Sequence, residues 1–572
     1  MKRSGIVALL AAAVAVLPAA AQSGLPPMSF GGAVLGHDMM WATDFAQLSQ
    51  THAFGTARSM ALGGAFTSLG ADLSSMSINP AGLGMYRRSE VSLTPFLSVG
   101  HSETPGTQPW LGDNRTRFSF ANVGAALNVY ESASGALTSL TIGVGMNRIA
   151  DFNTRYSFSS ESRYAGQLVP TIADLFCQQL NGMGIFPEPG DKGDPNGFLG
   201  YMNPNIWPAT LAYNAYMISV RGQGDGREWV SSDRIGSKAS VLHSMDVLSS
   251  GSINEFDFSL GANLNNIVYV GATIGIQSVH KKVGVTYQEE YGYFDDPGGV
   301  ATGSDGQPLA EQLDYANLWQ QTVLDGSGVN FKLGVIVRPV AGLRVGAAFH
   351  TPTYYSLDRS YRGAIESRVY KHATEEYGYP SDATEPIYDE GPNSWDFVSP
   401  SRLLLGASYT FGNFALVTVD YERDWYNGIR VKNVPDGSFW GSEDYKAEFK
   451  NNFKGTSTIR GGVEVKPLPI LSLRVGGGYT DSMLRDGNFY VDDPYASQPV
   501  VVKSHYFTAG VGFNLGRNTV LDLAYQYLSQ TQSQYRMFFS LDESQHELVT
   551  YTGLYDTFLT RHYIAMTLGF RF

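Results

Sequence analysis

One cysteine, Cys177, stands in 572 residues, so no disulfide can form within the chain. A lone thiol of this kind is expected to be a small polarizable filler. Charge is also scarce: only 16% of residues are Asp, Glu, Lys or Arg, and the formal net charge is -13. A chain without clustered Lys and Arg lacks the footprint that phosphate backbones need, so nucleic acid is not expected as a partner. Long apolar runs are missing too. Beyond the N-terminal segment no stretch approaches the ~20 apolar residues of a membrane helix. Catalytic signatures are likewise wanting, with no H-E-x-x-H, G-x-S-x-G or Walker loop and ten scattered histidines. No enzyme activity and no cofactor are expected. The Asp-rich stretches at 190–197 and 295–299 lack a calcium-ligand spacing and read as solvated turns, so no metal is expected.

What is present begins with an export signal. Lys2 and Arg3 form a basic n-region, Ile6 to Leu17 an apolar h-region, and Ala19 and Ala21 the small residues of a cleavage site before Gln22. Residues 1–21 therefore read as a secretory signal peptide. No cysteine follows that site, so a lipid-anchored mature terminus is not expected.

The exported part is rich in glycine (64), tyrosine (33) and phenylalanine (31), and its apolar residues recur with period two. The clearest case is the last segment, where Ile564, Met566, Leu568, Phe570 and Phe572 alternate with Tyr563, Ala565, Thr567, Gly569 and Arg571. Thirteen further segments repeat the pattern, near 88–100, 116–130, 137–158, 251–264, 267–291, 322–338, 342–368, 398–411, 413–425, 456–466, 470–481, 503–515 and 518–533. Strands that cross a membrane leave no edge unpaired only by closing into a barrel. The fold class expected is all-β: a 14-stranded antiparallel transmembrane β-barrel spanning 88–572, monomeric, in the bacterial outer membrane. The links alternate between short turns and long loops, the largest an insertion at 159–250. Short turns face the periplasm in such barrels, which places both chain ends on the periplasmic side. Within the insertion, Ile172, Leu175, Phe176 and Gln179 fall on neighbouring turns of an expected helix at 169–180.

Before the first strand lies AFGTARSMALGGAFTSLGADLSSMSINPAGLG, from Ala53 to Gly84, apolar and glycine-rich. It reads as a plug. Inward strand positions near the short turns carry glycine again and again: Gly124, Gly143, Gly261, Gly271, Gly334, Gly346, Gly406, Gly462, Gly476, Gly512 and Gly569. Glycine weakens a strand and marks close approach of another backbone, so the lower lumen is expected to be cleared for the plug. Barrel curvature would use the same glycines. Pro80 biases Asn79 away from helix, ending a short helix that starts at Asp72.

The tripeptide Asn79, Pro80, Ala81, the turn RPVAGLRVGAAFHTP at Arg338 to Pro352, LRVGGGYTDS at Leu473 to Ser482 and GRNTVLDLAYQYL at Gly516 to Leu528 resemble the FadL and TodX outer-membrane channels for hydrophobic compounds. The resemblance implies an N-terminal hatch, here 22–87, with its turn at Asn79, Pro80 and Ala81. It further implies passive, hatch-gated diffusion of hydrophobic small molecules such as long-chain fatty acids, and a lateral opening beside a kinked third strand. Carried onto this chain, that opening falls at Gly143, Gly145 and Asn147, within Ile142 to Phe152, where alternation breaks after Met146.

Inward Lys332, Arg344, Arg460 and Arg474 are candidates to hold a ligand head group. They equally fit ion pairs with Glu255, Asp257, Asp420, Glu464 or Asp522. The expected partners are a hydrophobic small-molecule ligand, outer-membrane lipid and, through the aromatic C-terminal strand, the barrel-assembly machinery. A second reading is a surface-binding protein, a haem receptor or adhesin, that uses the barrel as an anchor; a barrel enzyme is the third.

Overall fold

Period-two alternation builds the wall. In the computed structural model fourteen antiparallel strands close on themselves. They are β1 (Glu90–Thr104), β2 (Leu111–Glu131), β3 (Leu137–Asp151, resumed at Thr154–Arg163), β4 (Lys238–Leu264), β5 (Val268–Tyr293), β6 (Glu311–Val340) and β7 (Leu343–His350, resumed at Tyr354–Lys371). There follow β8 (Arg402–Phe411), β9 (Ala415–Trp425), β10 (Gly455–Leu468), β11 (Leu471–Thr480), β12 (Val501–Leu515), β13 (Thr519–Gln532) and β14 (Phe558–Arg571). β14 pairs with β1 from Phe558↔Glu103 to Arg571↔Glu90 and completes the ring. The structure describes residues 28–30, 33–35, 40–105, 111–132, 135–165, 169–187, 206–232, 238–293, 311–371, 374–384, 387–389, 394–435, 438, 440–485, 501–532, 534–542 and 547–572. The expected signal peptide and the Asp-rich stretches at 190–197 and 295–299 lie outside them.

The faces follow lipid outside and polar lumen inside. On β14 Ile564 and Leu568 are half exposed while Tyr563 is fully buried. On β7 Val345 and Phe349 point out and His350 points in. Rows of exposed Leu, Ile, Val and Phe on a closed cylinder have no solvent but hydrocarbon. This is a membrane-spanning barrel.

Several strands run well past the bilayer, and there their polarity inverts. On β4 the lower inward residues are Glu255, Asp257 and Ser259, with Phe256, Phe258 and Leu260 outward; higher up Val241, Met245 and Val247 are the buried inward residues. β5 changes in the same way, from outward Ile274 and Ile276 to inward Val285 and Tyr287. Above the membrane the outside is water, and the inside is an apolar cap.

That cap replaces much of the loop expected at 159–250. Strand segments of β3 and β4 enter it, and α4 (Ile172–Met183) and α5 (Trp207–Asn214) fill it. Ile172, Leu175, Phe176 and Gln179 are all fully buried there, as the helical spacing predicts. The helices α1 (Ala42–Leu48), α2 (Ala57–Ala61) and α3 (Ser75–Ile78) precede the wall, and α6 (Ser442–Asn452) lies in an outer loop.

One expectation is corrected. The first described residues are not at the periplasmic end: Met28–Phe30 pairs with Phe538–Asp542, a strand of the outer loop between β13 and β14. From there the chain descends through α1 and the lumen to the plug. Backbone pairing with a distant loop fixes this direction, and turn lengths carry no information about it.

Candidate functional site: hatch, lumen and wall

Local capping shapes the hatch. Thr56 caps α2 by accepting from Ser59 N at 3.2 Å, and its own hydroxyl donates to Asp72 at 2.9 Å. Asp72 also accepts from Ser74 N at 2.9 Å, just before α3. Asn79 is extended (φ -144°, ψ 103°) and Pro80 opens a 3-10 turn, Pro80–Met85, so the short helix ends where Pro80 requires. The fully buried Asn79 amide donates to Thr67 O at 2.6 Å and reaches Ala347 O and Val335 O, while its oxygen accepts from Ala81 N at 3.1 Å.

The seat of this turn is glycine. A Cβ at Gly334 would stand 1.8 Å from Asn79 Oδ1, one at Gly271 2.3 Å from the Pro80 carbonyl carbon, and one at Gly346 2.2 Å from Thr67 O. Gly143, Gly261, Gly462 and Gly476 likewise have hatch atoms within 3.0 Å of a would-be Cβ. Gly512 and Gly569 face wall side chains instead, and at Gly124 and Gly406 wall atoms come nearest. Gly510, against Ala61 at 2.4 Å, joins the set.

Between the glycines the wall offers hydroxyls to hatch carbonyls. Thr273 donates to Met76 O (3.1 Å), Thr418 to Ala65 O (3.0 Å), Thr508 to Ala61 O (2.9 Å) and Tyr506 to Gly63 O (2.7 Å). Thr567 Oγ1 accepts from Ala57 N at 2.7 Å and Asp420 from Thr67 N at 2.7 Å. Buried backbone groups demand such partners. Sequence reasoning missed this ring; its signal is a Thr two positions from an inward Gly, as in Gly271/Thr273, Thr508/Gly510 and Thr567/Gly569.

Three of the four candidate cations are engaged by lumenal carboxylates. Lys332 pairs with Glu255 and, at 3.1 Å, with Asp257. Arg460 pairs with Glu422, which also takes Arg402. Arg474 bridges Glu464 at 2.6 Å and Asp522, and Arg58 of the hatch approaches Glu464 at 3.5 Å. Arg344 lies near the periplasmic turn, one inward position from the Thr67 seat at Gly346. Around the descending stretch 47–54, the described residues line cavities of ≈ 70, 50 and 40 Å³, each with room for a few waters.

The backbone ladder of the wall is interrupted on one side, where side chains cross instead: Arg115 donates to Thr154 O at 3.2 Å and Arg155 meets Asp113 at 3.5 Å. β2 and β3 pair from Glu131↔Ser139 up to Asn122↔Asn147. Above that rung, among the described residues, the backbone of 111–120 pairs only with β1, whereas β3 follows β4, with a register shift between Arg148 and Ala150 and a break before Thr154. This is the irregularity foreseen within Ile142 to Phe152. Asn147 marks its foot, accepting from Asn122 and donating to Asp257, both at 2.7 Å. Gly143 and Gly145 stand lower, in the paired ladder, with Met76 of the hatch against them.

Beside the break lies an apolar cluster of Phe54, Phe96, Ala121 and Tyr563, with Phe54 edge-on to Tyr563 at 5.1 Å. The Arg148 guanidinium sits 5.7 Å over Phe96, and its Nε is buried with no hydrogen-bond partner among the described residues. Arg148 was not among the residues singled out from sequence; its place at the phase break was the available sign.

Solved structures similar to this chain include the Ralstonia pickettii toluene transporter TbuX, at 14% identity over 92% of this chain and 100% of that one, with a TM-score of 0.46. The P. putida toluene transporter TodX follows at 11% identity, 92% and 99% coverage and a TM-score of 0.47. A Pseudomonas aeruginosa FadL homologue stands at 12% identity, 91% and 98% coverage and a TM-score of 0.47. No protein-family model and no curated sequence matches the chain. The likeness is one of fold.

Proposed function

We propose that this chain is an outer-membrane channel through which hydrophobic small molecules, long-chain fatty acids among them, diffuse passively, with the hatch closing the axis and the wall break serving as lateral exit. The observation that carries this reading is the break between β2 and β3 with its apolar cluster and Arg148. An apolar tail fits beside Phe54, Phe96 and Tyr563, and Arg148, which feels the charge of Asp151 and whose Nε has no hydrogen-bond partner among the described residues, has a donor to offer an acid head group. Lys332, Arg460 and Arg474 take part only if a ligand carboxylate competes with the lumenal acids that hold them. Downward, the hatch meets glycine and hydroxyl on all sides, so lipid is the nearer sink for an apolar solute.

Expression in a strain lacking its own fatty-acid transporter should raise uptake of labelled fatty acid, and unchanged uptake would overturn the assignment. Arg148→Ala should lower uptake of the acid while sparing an uncharged hydrocarbon of similar length. Equal loss for both would remove Arg148 from the head-group role.

A further inference from the structure

On the outer face of the wall, above the membrane, β5, β6 and β7 set polar side chains beside one another. The register places Glu290, Tyr315 and Arg368 on one rung and Gln288, Asn317 and Glu366 on the next outward rung below. A bulge adds to the upper rung: Asp314 has no partner between Leu313↔Val369 and Tyr315↔Arg368, so it shares the outer face with Tyr315 and meets Arg368. The short strand Glu376–Gly378 pairs with the upper end of β7, and just past it stands Tyr379, 73% exposed. Gln288, Glu290, Asp314, Tyr315, Arg368 and Tyr379 line a cleft of ≈ 390 Å³. That is far larger than the lumenal cavities and within the ~300–1,000 Å³ of small-molecule sites.

The cleft is held in shape by its own side chains. Gln288 donates to Glu290 at 2.9 Å, Tyr315 and Asn317 donate to Glu366 at 3.0 and 3.1 Å, and the Arg368 guanidinium lies 5.5 Å over Tyr377. Flat tyrosine faces stand beside an amide, carboxylates and a guanidinium, and no aliphatic side chain is among the described residues that line the cleft. This is chemistry for a hydroxyl-rich ring, with an apolar face for the tyrosines and hydroxyls for the polar groups. A phosphate does not suit it, because Asp314 already holds Arg368 and Glu290 and Glu366 stand close by. Height selects the source of the ring. Ile276 and Val329 face lipid on the same strands, and the outward pair His280–Asp325, at 2.6 Å, marks where hydrocarbon ends. From His280 to Glu290 a rise of ~3.3 Å per residue at a tilt of ~40° carries β5 about 25 Å further out. The outer leaflet of a bacterial outer membrane is glycolipid, and at that height its saccharide chain, past the phosphorylated innermost sugars, surrounds the wall.

We infer that the outer cleft of β5, β6 and β7 is a binding site for a neutral pyranose unit in the saccharide chain of the surrounding lipopolysaccharide. The sugar lays its C–H face on Tyr379 and gives hydroxyls to Glu290 and Arg368. Because these side chains are fixed before the sugar arrives, little ordering cost is left to binding. The site faces away from the lumen, so it takes no part in the path of a solute. It ties the barrel to the glycolipid around it.

The test loads the full chain, in detergent, with lipopolysaccharide carrying its complete core or with the form truncated after the innermost phosphorylated sugars. Native mass spectrometry then counts the glycolipid retained after washing. The complete form should be retained about threefold better or more, the scale of one aromatic stacking contact. Tyr379→Ala and Glu290→Gln, both at exposed side chains, should bring retention of the complete form down to that of the truncated one while heat-modifiable migration stays unchanged. Glu443→Gln, exposed on α6, is the charge-matched control and should leave retention as it is. Equal retention of the two forms, or wild-type retention by both variants, overturns the inference. A variant that loses both forms alike also overturns it, because the contact would then lie with the lipid or its phosphates. Binding of the released core oligosaccharide without preference for the complete glycolipid would make the ligand a free saccharide and likewise overturn it.

Discussion

Asn79 ties the hatch to two wall strands through a single amide, and Gly334 makes room for it. Gly334→Ala puts a methyl group where the Asn79 oxygen sits, an overpacking of the kind that costs about 1–3 kcal/mol. The expected outcome is an unseated turn, seen as higher single-channel leak in planar bilayers with the wall still heat-modifiable on gels. Gly569→Ala, whose would-be Cβ comes no nearer than 3.5 Å to Glu90 Oε1, is the matched control and should leave the leak unchanged. Lys332 poses the opposite problem. It is nearly buried between Glu255 and Asp257, and Lys332→Met strands two carboxylates at a cost of roughly 3–5 kcal/mol. Urea unfolding should show that loss, and most of it should return in the triple variant with Glu255→Gln and Asp257→Asn.

At the scale of elements, α4 hangs on one carboxylate. Glu289 accepts from Ile172 N, the first residue of the helix, at 2.8 Å, and from the hydroxyls of Tyr287 and Tyr291, with His243 at 3.3 Å. It stands on β5 far beyond the ~10 residues that a tilted strand needs to cross the bilayer. Burial alone would raise its pKa, but the contacts with His243 and the two tyrosines outweigh burial and hold it below the usual glutamate value. A depressed carboxyl stabilises the fold above its unfolded value, near ~4.3, and loses that contribution as pH falls through the folded one. Hydrogen exchange of α4 should therefore quicken selectively below that range, and Glu289→Gln should flatten the pH dependence.

Elements also show where sequence reading succeeds and where it stops. Every membrane-crossing strand was legible because lipid and lumen impose opposite polarity on alternate residues. The upper halves of β4 and β6 were not, because the apolar residues there change sides: Val241 and Met245 point in where Phe256 and Phe258 point out. A polarity flip without a change of backbone phase reads as the end of a strand. The glycine seat of the hatch was legible, whereas its ring of threonine hydroxyls was not, since a lone Thr in a strand has many other uses. The partners of Lys332 and Arg474 lay among the acids singled out, while Glu422, which takes Arg460, did not.

For the whole molecule, the N-terminal segment links the two ends of the barrel. A protease site inserted between residues 30 and 33 should be cut on intact cells, because the flanking strands pair with the outer loop; protection of that site would refute the ascent. Deleting residues 22–87 should leave a folded but leaky barrel, judged by heat-modifiable migration and antibiotic sensitivity, and failure to fold would make the segment part of the scaffold.

The fit of hatch against glycine bears on biogenesis. A plug that would touch a single added methyl group on so many strands has no clearance to slide through a finished cylinder in folded form. A hatch that docks already folded therefore requires the β1–β14 seam, which begins only a few residues after its 3-10 turn, to shut around it. In a pulse-chase experiment the hatch should become protease-resistant no later than the barrel acquires its heat-modifiable form, and late protection would mean that it threads in afterwards. The same seam makes the plug a captive, free to rearrange within the cylinder and unable to leave it sideways.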